Sequence, residues 1–161
     1  MIVVSDTSPL NYLILTGYID LLPELYGEVK VPPAVIEELT NPKAPERVRQ
    51  WMGNLPGWIE VRAPNAATSQ LAGLGRGESQ AIALAAEVHA DLLLMDEAHA
   101  RAAALAAGVD VVGTLGVLEL ASERKRLDFV EAVKRLKATN CRIAVHLYKE
   151  ALERRSRGGS P

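Results

Sequence analysis

The stretch "IVVSDTSPLNYL", Ile2 to Leu13, decides the fold. Four small or apolar residues, Ile2 to Ser5, read as a short buried strand, and Asp6 ends it. Ser8-Pro9 reads as a helix start, a side-chain cap followed by proline at the first helical position. Leu10, Leu13 and Ile14 then recur at helical spacing, and Gly17 stops the run. A buried strand that ends on a carboxylate, with a helix directly behind it, is the unit from which an open parallel sheet is built. Ligands of such sheets bind outside the carboxyl ends of the strands.

The same alternation continues along the chain. "YIDLLPELYG" reads as a short helix, "EVKVPP" as a strand, and Pro33 opens a helix carrying "AVIEELT". "APERVRQWMG" predicts a helix and "GWIEVR" a strand. A glycine-bounded loop then leads into the Ala-rich helix of "LAGLGRGESQAIALAAEVHA". "DLLLM" shows no polar alternation, as expected of a strand covered on both faces, and ends at Asp96. "AHARAAALAAG" predicts a helix closed by Gly108, "VDVVG" another buried strand, and "TLGVLELASERKR" a further helix. The remainder from Leu127 is charged and helical. Strands alternating with helices predict a three-layer α/β/α sandwich around a central, mostly parallel sheet.

The chain has 161 residues, and no linker or repeat divides it, so the expectation is a single domain over residues 1–155 with a flexible tail at 156–161. Hydrophobic residues make up 48% but aromatics only 4%, so Leu, Val, Ile and Ala must build the core. The single cysteine, Cys141, excludes an internal disulfide and fits a reducing compartment. No signal-like start precedes Asp6, and no apolar run approaches the roughly 18 residues of a membrane span. The expectation is a soluble cytoplasmic protein with no membrane partner. Net charge is −2, which does not mark a nucleic-acid binder. The distribution is uneven, however: Lys134 to Arg157 carries eight Lys/Arg against two Glu. A basic C-terminal segment on an acidic body is either a solvated face or a surface for phosphates or an acidic partner.

Four acids stand where they can meet. Asp6 and Asp96 end two strands that read as central, so they should share one edge of the sheet. In "GESQAIALA", Glu78 lies on the helix face of Ala81, Ile82 and Ala85, an apolar stripe that points it toward the core edge. In "PAVIEEL", Glu38 lies nearer the Val35/Leu39 side than Glu37 does. Each has a plainer explanation: Asp6 bonding the amides of the next helix, Glu78 favoured by a helix dipole, Asp96 a cap, Glu38 a solvated acid.

Two carboxylates about 4 Å apart repel by roughly 4 kcal/mol at an effective dielectric near 20, so a cluster of four calls for a cation. Hard oxygen donors with no soft partner suit Mg2+ or Mn2+ rather than zinc. His89, His99 and His146 are scattered and read as surface residues. A divalent ion among carboxylates polarises a phosphodiester and acidifies water, with no histidine required. The hydroxyls of Thr7 and Ser8 are placed to position water or phosphate.

Together, "VVSDTSPLNYL", "VPPAVIEEL", "LGRGESQAIALA", "LLLMDEAHARAAA" and "VVGTLGVLELA" resemble a PIN domain, most closely an uncharacterised PIN-like branch related to the VapC-type toxins of prokaryotic toxin–antitoxin systems. The resemblance covers roughly residues 1 to 125. It implies the α/β/α sandwich and Mg2+- or Mn2+-dependent cleavage of RNA. It assigns the family acids, as catalytic and metal-holding residues, to Asp6, Glu38, Glu78 and Asp96. It also implies a cognate antitoxin that holds the protein inactive, and a homodimer. The third acid of such toxins is usually aspartate, and Glu78 is one methylene longer. Glu97 adjoins Asp96 as a competing ligand, and Arg101, one turn beyond, is placed to reach a phosphate or to balance the acids. The resemblance gives the basic C-terminal segment no task.

Two other readings remain open. A PIN-like module that binds RNA or a partner without cutting has the same sequence features. A phospho-accepting signalling domain also places Asp at a strand end, but it needs an acid pair at the first strand and a lysine after a late one. Here Asp6 stands alone, and no lysine follows "VDVVG".

Overall fold

The structure, a computed structural model, describes residues 1–65, 71–141 and 145–158, with the side chains at 145 and 158 excepted. Five short strands, β1 (Val3–Ser5), β2 (Val29–Val31), β3 (Ile59–Val61), β4 (Leu92–Leu94) and β5 (Val111–Val112), form one sheet in the order β3-β2-β1-β4-β5. Every pairing is parallel, with Val3 beside Val29 and Leu92, and Ser5 beside Leu94. The connections carry the helices: α1 (Thr7–Thr16), α2 (Leu21–Tyr26), α3 (Pro33–Thr40), α4 (Glu46–Met52), α5 (Arg76–Glu87) and α6 (Ala98–Ala106). After the sheet come α7 (Thr114–Glu123), α8 (Phe129–Lys137) and α9 (Val145–Gly158).

Alternation along the strands separates two cores. Val3, Val29, Val31 and Leu94 face one side and pack with α1, α3, α4 and the C-terminal helices. Val4, Leu93 and Met95 face the other side and pack with α5 and α6. Both cores are nearly all aliphatic, as the composition requires, and the three layers are those expected from the sequence.

Strand order grows outward from β1 in one direction to β3, then resumes at β4 on its other side. The chain therefore reverses between β1 and β4, and the crevice at their carboxyl ends is the topological switch point. Asp6 and Asp96 follow these two strands. The Asp6 amide donates to the Leu94 carbonyl at 2.9 Å, so Asp6 is locked to the neighbouring strand where its own ends.

Two expectations at helix ends are corrected. α1 begins at Thr7, with Asp6 at the N-cap, so Ser8 lies inside the first turn and is not the cap. The peptide turns helical directly after the last ladder bond, which leaves no room for two extra residues. At the other end, α9 runs to Gly158, through part of the stretch expected to be a flexible tail. Glu153 and Arg157 pair at i,i+4 there, and cations in the last turn suit the helix dipole. The final residues 159–161 lie outside the described residues, as does Arg142 of the basic segment. Among the described residues, no helix is long and apolar enough to cross a membrane.

Candidate functional site

The four acids arrive at the crevice from four elements. Asp6 is 3% exposed. Its side chain makes no capping bond to α1, and its Oδ1 is sealed from solvent with no hydrogen-bond partner. The plainer account of Asp6, as a bond to the amides of its own helix, therefore fails for that oxygen. Burial pushes its carboxyl up to about 7, opposed by the Thr7 amide and reinforced by the charges of Glu78, Glu38 and Asp96. The three other acids are thus close enough to act on it.

Asp96 follows β4 by two residues and is gripped at both oxygens. Oδ1 accepts the Thr114 amide at 2.6 Å, and Oδ2 accepts the Thr114 hydroxyl at 2.7 Å. Burial raises its carboxyl, while Thr114 and then Arg101 lower it. Gly113 leaves room for this grip: a Cβ there would lie 2.8 Å from Asp96 Oδ1 and 2.9 Å from Arg101 Nη1.

Glu38 reaches in from the second half of α3. Its Oε2 accepts the Thr7 hydroxyl, and its Oε1 accepts the Gly77 amide at 3.2 Å. The main-chain amide of Ala34, at the start of α3, donates to Gln80 at 3.1 Å, which ties α3 to α5. Glu37 instead pairs with Arg76, while Glu38, on the Val35/Leu39 side, turns to Thr7 and Gly77. Glu78 is the third residue of α5 and half-buried. Its Oε1 accepts the Gly75 amide at 3.0 Å, closing the first turn of that helix.

None of the four acids forms an ion pair with Lys or Arg among the described residues. Each outer acid instead rests on a donor of its own. As the side chains stand, no three Asp, Glu, His or Cys of the described residues are arranged to ligate one ion. The donor set nonetheless fits a hard divalent cation. It is all oxygen, none of the four acids is ion-paired among the described residues although the charge of Arg101 acts on Asp96, and one of those oxygens is buried and unpartnered.

The accessory residues divide. Thr7 holds Glu38, and Ser8 lines the pocket beside Asp96. Glu97 is the N-cap of α6, accepting the Ala100 amide at 2.6 Å, and that bond holds its carboxyl below the usual range. It is exposed and committed to the helix, so the expectation that it competes as a ligand is corrected. Arg101 lines the same pocket as Asp96. The three histidines are all exposed. Thr114, Gly77 and Gly113 were not singled out from the sequence. The available signal was the Gly-Thr pair directly after the strand Val111–Val112, half-buried rather than buried as the sequence suggests because it is the edge strand, which puts a hydroxyl on the same sheet edge as the acids.

A family model described as DUF3368, PIN domain, matches residues 2–157. Among solved structures, a PilT N-terminus domain protein, SSO1118, from the hyperthermophilic archaeon Sulfolobus solfataricus P2 shares the fold. Its TM-score is 0.56 at 19% identity, over 80% of this chain and 98% of that one. No curated protein matches the sequence significantly. The family match extends past α7 to include α8 and α9, beyond the residue 125 at which the resemblance seen in the sequence stops. With that match over nearly the whole chain, and four acids at its switch-point crevice, the chain belongs to the PIN domain family, whose members are typically nucleases that use divalent metal ions.

Proposed function

We propose that the β1–β4 crevice is the active site of a metal-dependent endoribonuclease. The observation that carries this reading is Asp6: unpartnered at Oδ1, and with its carboxyl raised first by burial and further by the charges of three other acids. The chemistry that a divalent ion would supply there is charge compensation for the carboxylates and activation of water and the phosphodiester for hydrolysis. Asp6 and Asp96 would hold the ion from fixed positions, because one is locked by the strand ladder and the other by Thr114. Glu38 and Glu78 close the site from α3 and α5, directly or through water. Thr7 orients Glu38, and Ser8 stands at the entrance for a water or a phosphate oxygen.

The test is cleavage of an end-labelled single-stranded RNA, and of DNA of the same sequence, with Mg2+, with Mn2+ and with chelator. Metal-dependent cuts in RNA that vanish in Asp6→Asn and Asp96→Asn support the proposal. Equal cutting in chelator, or full activity in either variant, ends it. The resemblance to VapC-type toxins extends the proposal to a cytoplasmic toxin that pairs with itself and is silenced by a cognate antitoxin. Growth arrest on expression, relieved by a small protein encoded beside this gene, tests that part.

A second reading is a PIN-like module that holds RNA or a partner without cutting. It draws on Glu78, which is longer than the usual aspartate and already engaged by Gly75. The same assay separates the two readings: such a module retains RNA in chelator and never cuts it.

A further inference from the structure

A pocket of about 640 Å³ opens directly beside Asp96, bounded by α6, α7 and α9. Its size falls within the roughly 300–1,000 Å³ of small-ligand sites. Ser8, Asp96 and Gly113 belong to its wall, so it is continuous with the acid crevice. Beyond them, its lining changes character: Tyr12, Leu147 and the single thiol of Cys141 give aromatic, aliphatic and soft surface.

Two cations line it in different states. Arg154 on α9 is committed to Glu119 on α7 through two bonds, at 2.6 and 3.0 Å, a bidentate pair that pins α9 against the body. Tyr148 and Ala151, buried in the core, anchor the same helix, and Lys137 of α8 lies 4.8 Å over the Tyr148 ring. The wall is therefore preformed. Arg101 differs: it is half-buried and faces the pocket next to Asp96, and it forms no ion pair or hydrogen bond among the described residues. A guanidinium whose five donors make no hydrogen bond among the described residues, and whose charge already acts on Asp96, is a ready clamp for a phosphate.

Resting on the ribonuclease reading, we propose that this pocket is the subsite for the nucleotide adjoining the scissile phosphodiester. Arg101 takes that nucleotide's phosphate, and its base lies against Tyr12 and Leu147. A nucleotide brings one anion and a flat ring with apolar faces, and the pocket offers a cation with open hydrogen-bond donors and an aromatic ring. The C-terminal segment thereby acquires a task. α9 contributes the outer wall through Leu147 and Arg154, and the preference for one base over another is set there.

Cys141 makes the pocket directly readable, because it is the chain's only cysteine. Alkylation of wild-type protein by iodoacetamide is followed in chelator, with and without a six-nucleotide single-stranded RNA whose binding is measured in parallel by fluorescence anisotropy. At about ten times its Kd, bound RNA leaves roughly a tenth of the sites open, so alkylation slows about tenfold. Arg101→Ala weakens RNA binding by about tenfold or more, the value of a lost charge-assisted bond. Leu147→Trp, which fills the pocket and leaves Arg101 in place, shifts the distribution of cut sites on a pool of RNA hexamers with metal present. Unchanged alkylation at saturating RNA, or an unchanged cut distribution in Leu147→Trp, overturns the subsite. If metal-dependent cleavage persists in that case, the nuclease reading survives alone; if RNA neither binds nor is cut, both fall.

Discussion

Glu38 meets Gly77 across the α3–α5 junction so closely that no side chain fits between them. A Cβ on Gly77 would lie 2.5 Å from Glu38 Oε1 and 2.8 Å from its Cδ. The glycine amide donates to that same oxygen at 3.2 Å. Glycine is thus required here by the approach of a carboxylate and not by its own backbone, since its conformation is helical. Gly77→Ala replaces a poor helix former with the best one, a gain of up to about 1 kcal/mol. It also drives Glu38 off its two donors. The expected outcome is a melting temperature equal to or above wild type, with kcat for RNA cleavage reduced at least about tenfold, or about 1.4 kcal/mol of transition-state stabilisation. Wild-type activity in a well-folded Gly77→Ala protein would remove Glu38 from the site.

Thr114 holds Asp96 by amide and hydroxyl together, at 2.6 and 2.7 Å. Thr114→Val keeps the shape and the amide but deletes the hydroxyl. Asp96 Oδ2 then loses a bond worth about 1.5–3 kcal/mol, the range for hydrogen bonds to charged groups. Metal affinity, measured by titration of Mn2+, should fall by roughly 10- to 100-fold, the usual cost of an outer-shell partner. Thr114→Ser restores the hydroxyl and should recover most of that loss. If the valine and serine variants bind Mn2+ alike, Thr114 is only a packing residue.

The fold was legible because its signals are local. Unbroken apolar strands such as Leu92–Leu94, with glycine and proline at helix ends, dictate the element order and the parallel sheet. The strand-end acids Asp6 and Asp96 followed from the same pattern. Glu38 was harder to read, because an eight-residue helix gives only a weak facial preference and its partners, Thr7 and Gly77, are distant in the chain. Glu97 misled for the opposite reason: adjacency to Asp96 suggests a ligand, but a residue entering a helix turns its side chain to the free amides. The Gly-Thr pair after β5 places the Thr114 hydroxyl at the sheet edge, but its grip on Asp96 and the wall supplied by α9 depend on tertiary packing, which no local spacing encodes.

Asp6 should make stability fall as pH rises. Its carboxyl titrates near 7 in the folded chain, against an ordinary value of 3.8. Between those values the folded protein keeps a proton that the unfolded chain has released. The stabilisation is therefore fully present below about pH 4 and is lost as pH rises through 7. About three units at 1.36 kcal/mol each set an upper bound near 4 kcal/mol. Asp6→Asn is neutral throughout, so in chelator its stability should exceed wild type by a margin that widens from pH 5 to pH 8. Denaturant melts of both proteins across that range measure the margin. A constant difference would mean that Asp6 is ionised in the folded protein at all of these pH values.

The same buried charge predicts how metal acts on the fold. At neutral pH and above, Asp6 carries unneutralised charge beside Glu78, Glu38 and Asp96, and a cation that binds only the folded chain relieves it. At a free ion concentration 100 times Kd, binding adds about 2.7 kcal/mol, which for a chain of this size is roughly 5 to 10 °C in melting temperature. The rise should be larger at pH 8 than at pH 5, because protons and metal compete for Asp6. Differential scanning fluorimetry with Mn2+ and Mg2+, reversed by chelator, reads it directly, and Asp6→Asn should lose most of the shift. A pH-independent rise of equal size in Asp6→Asn would place the ion elsewhere on the surface and leave the four-acid crevice without its cation.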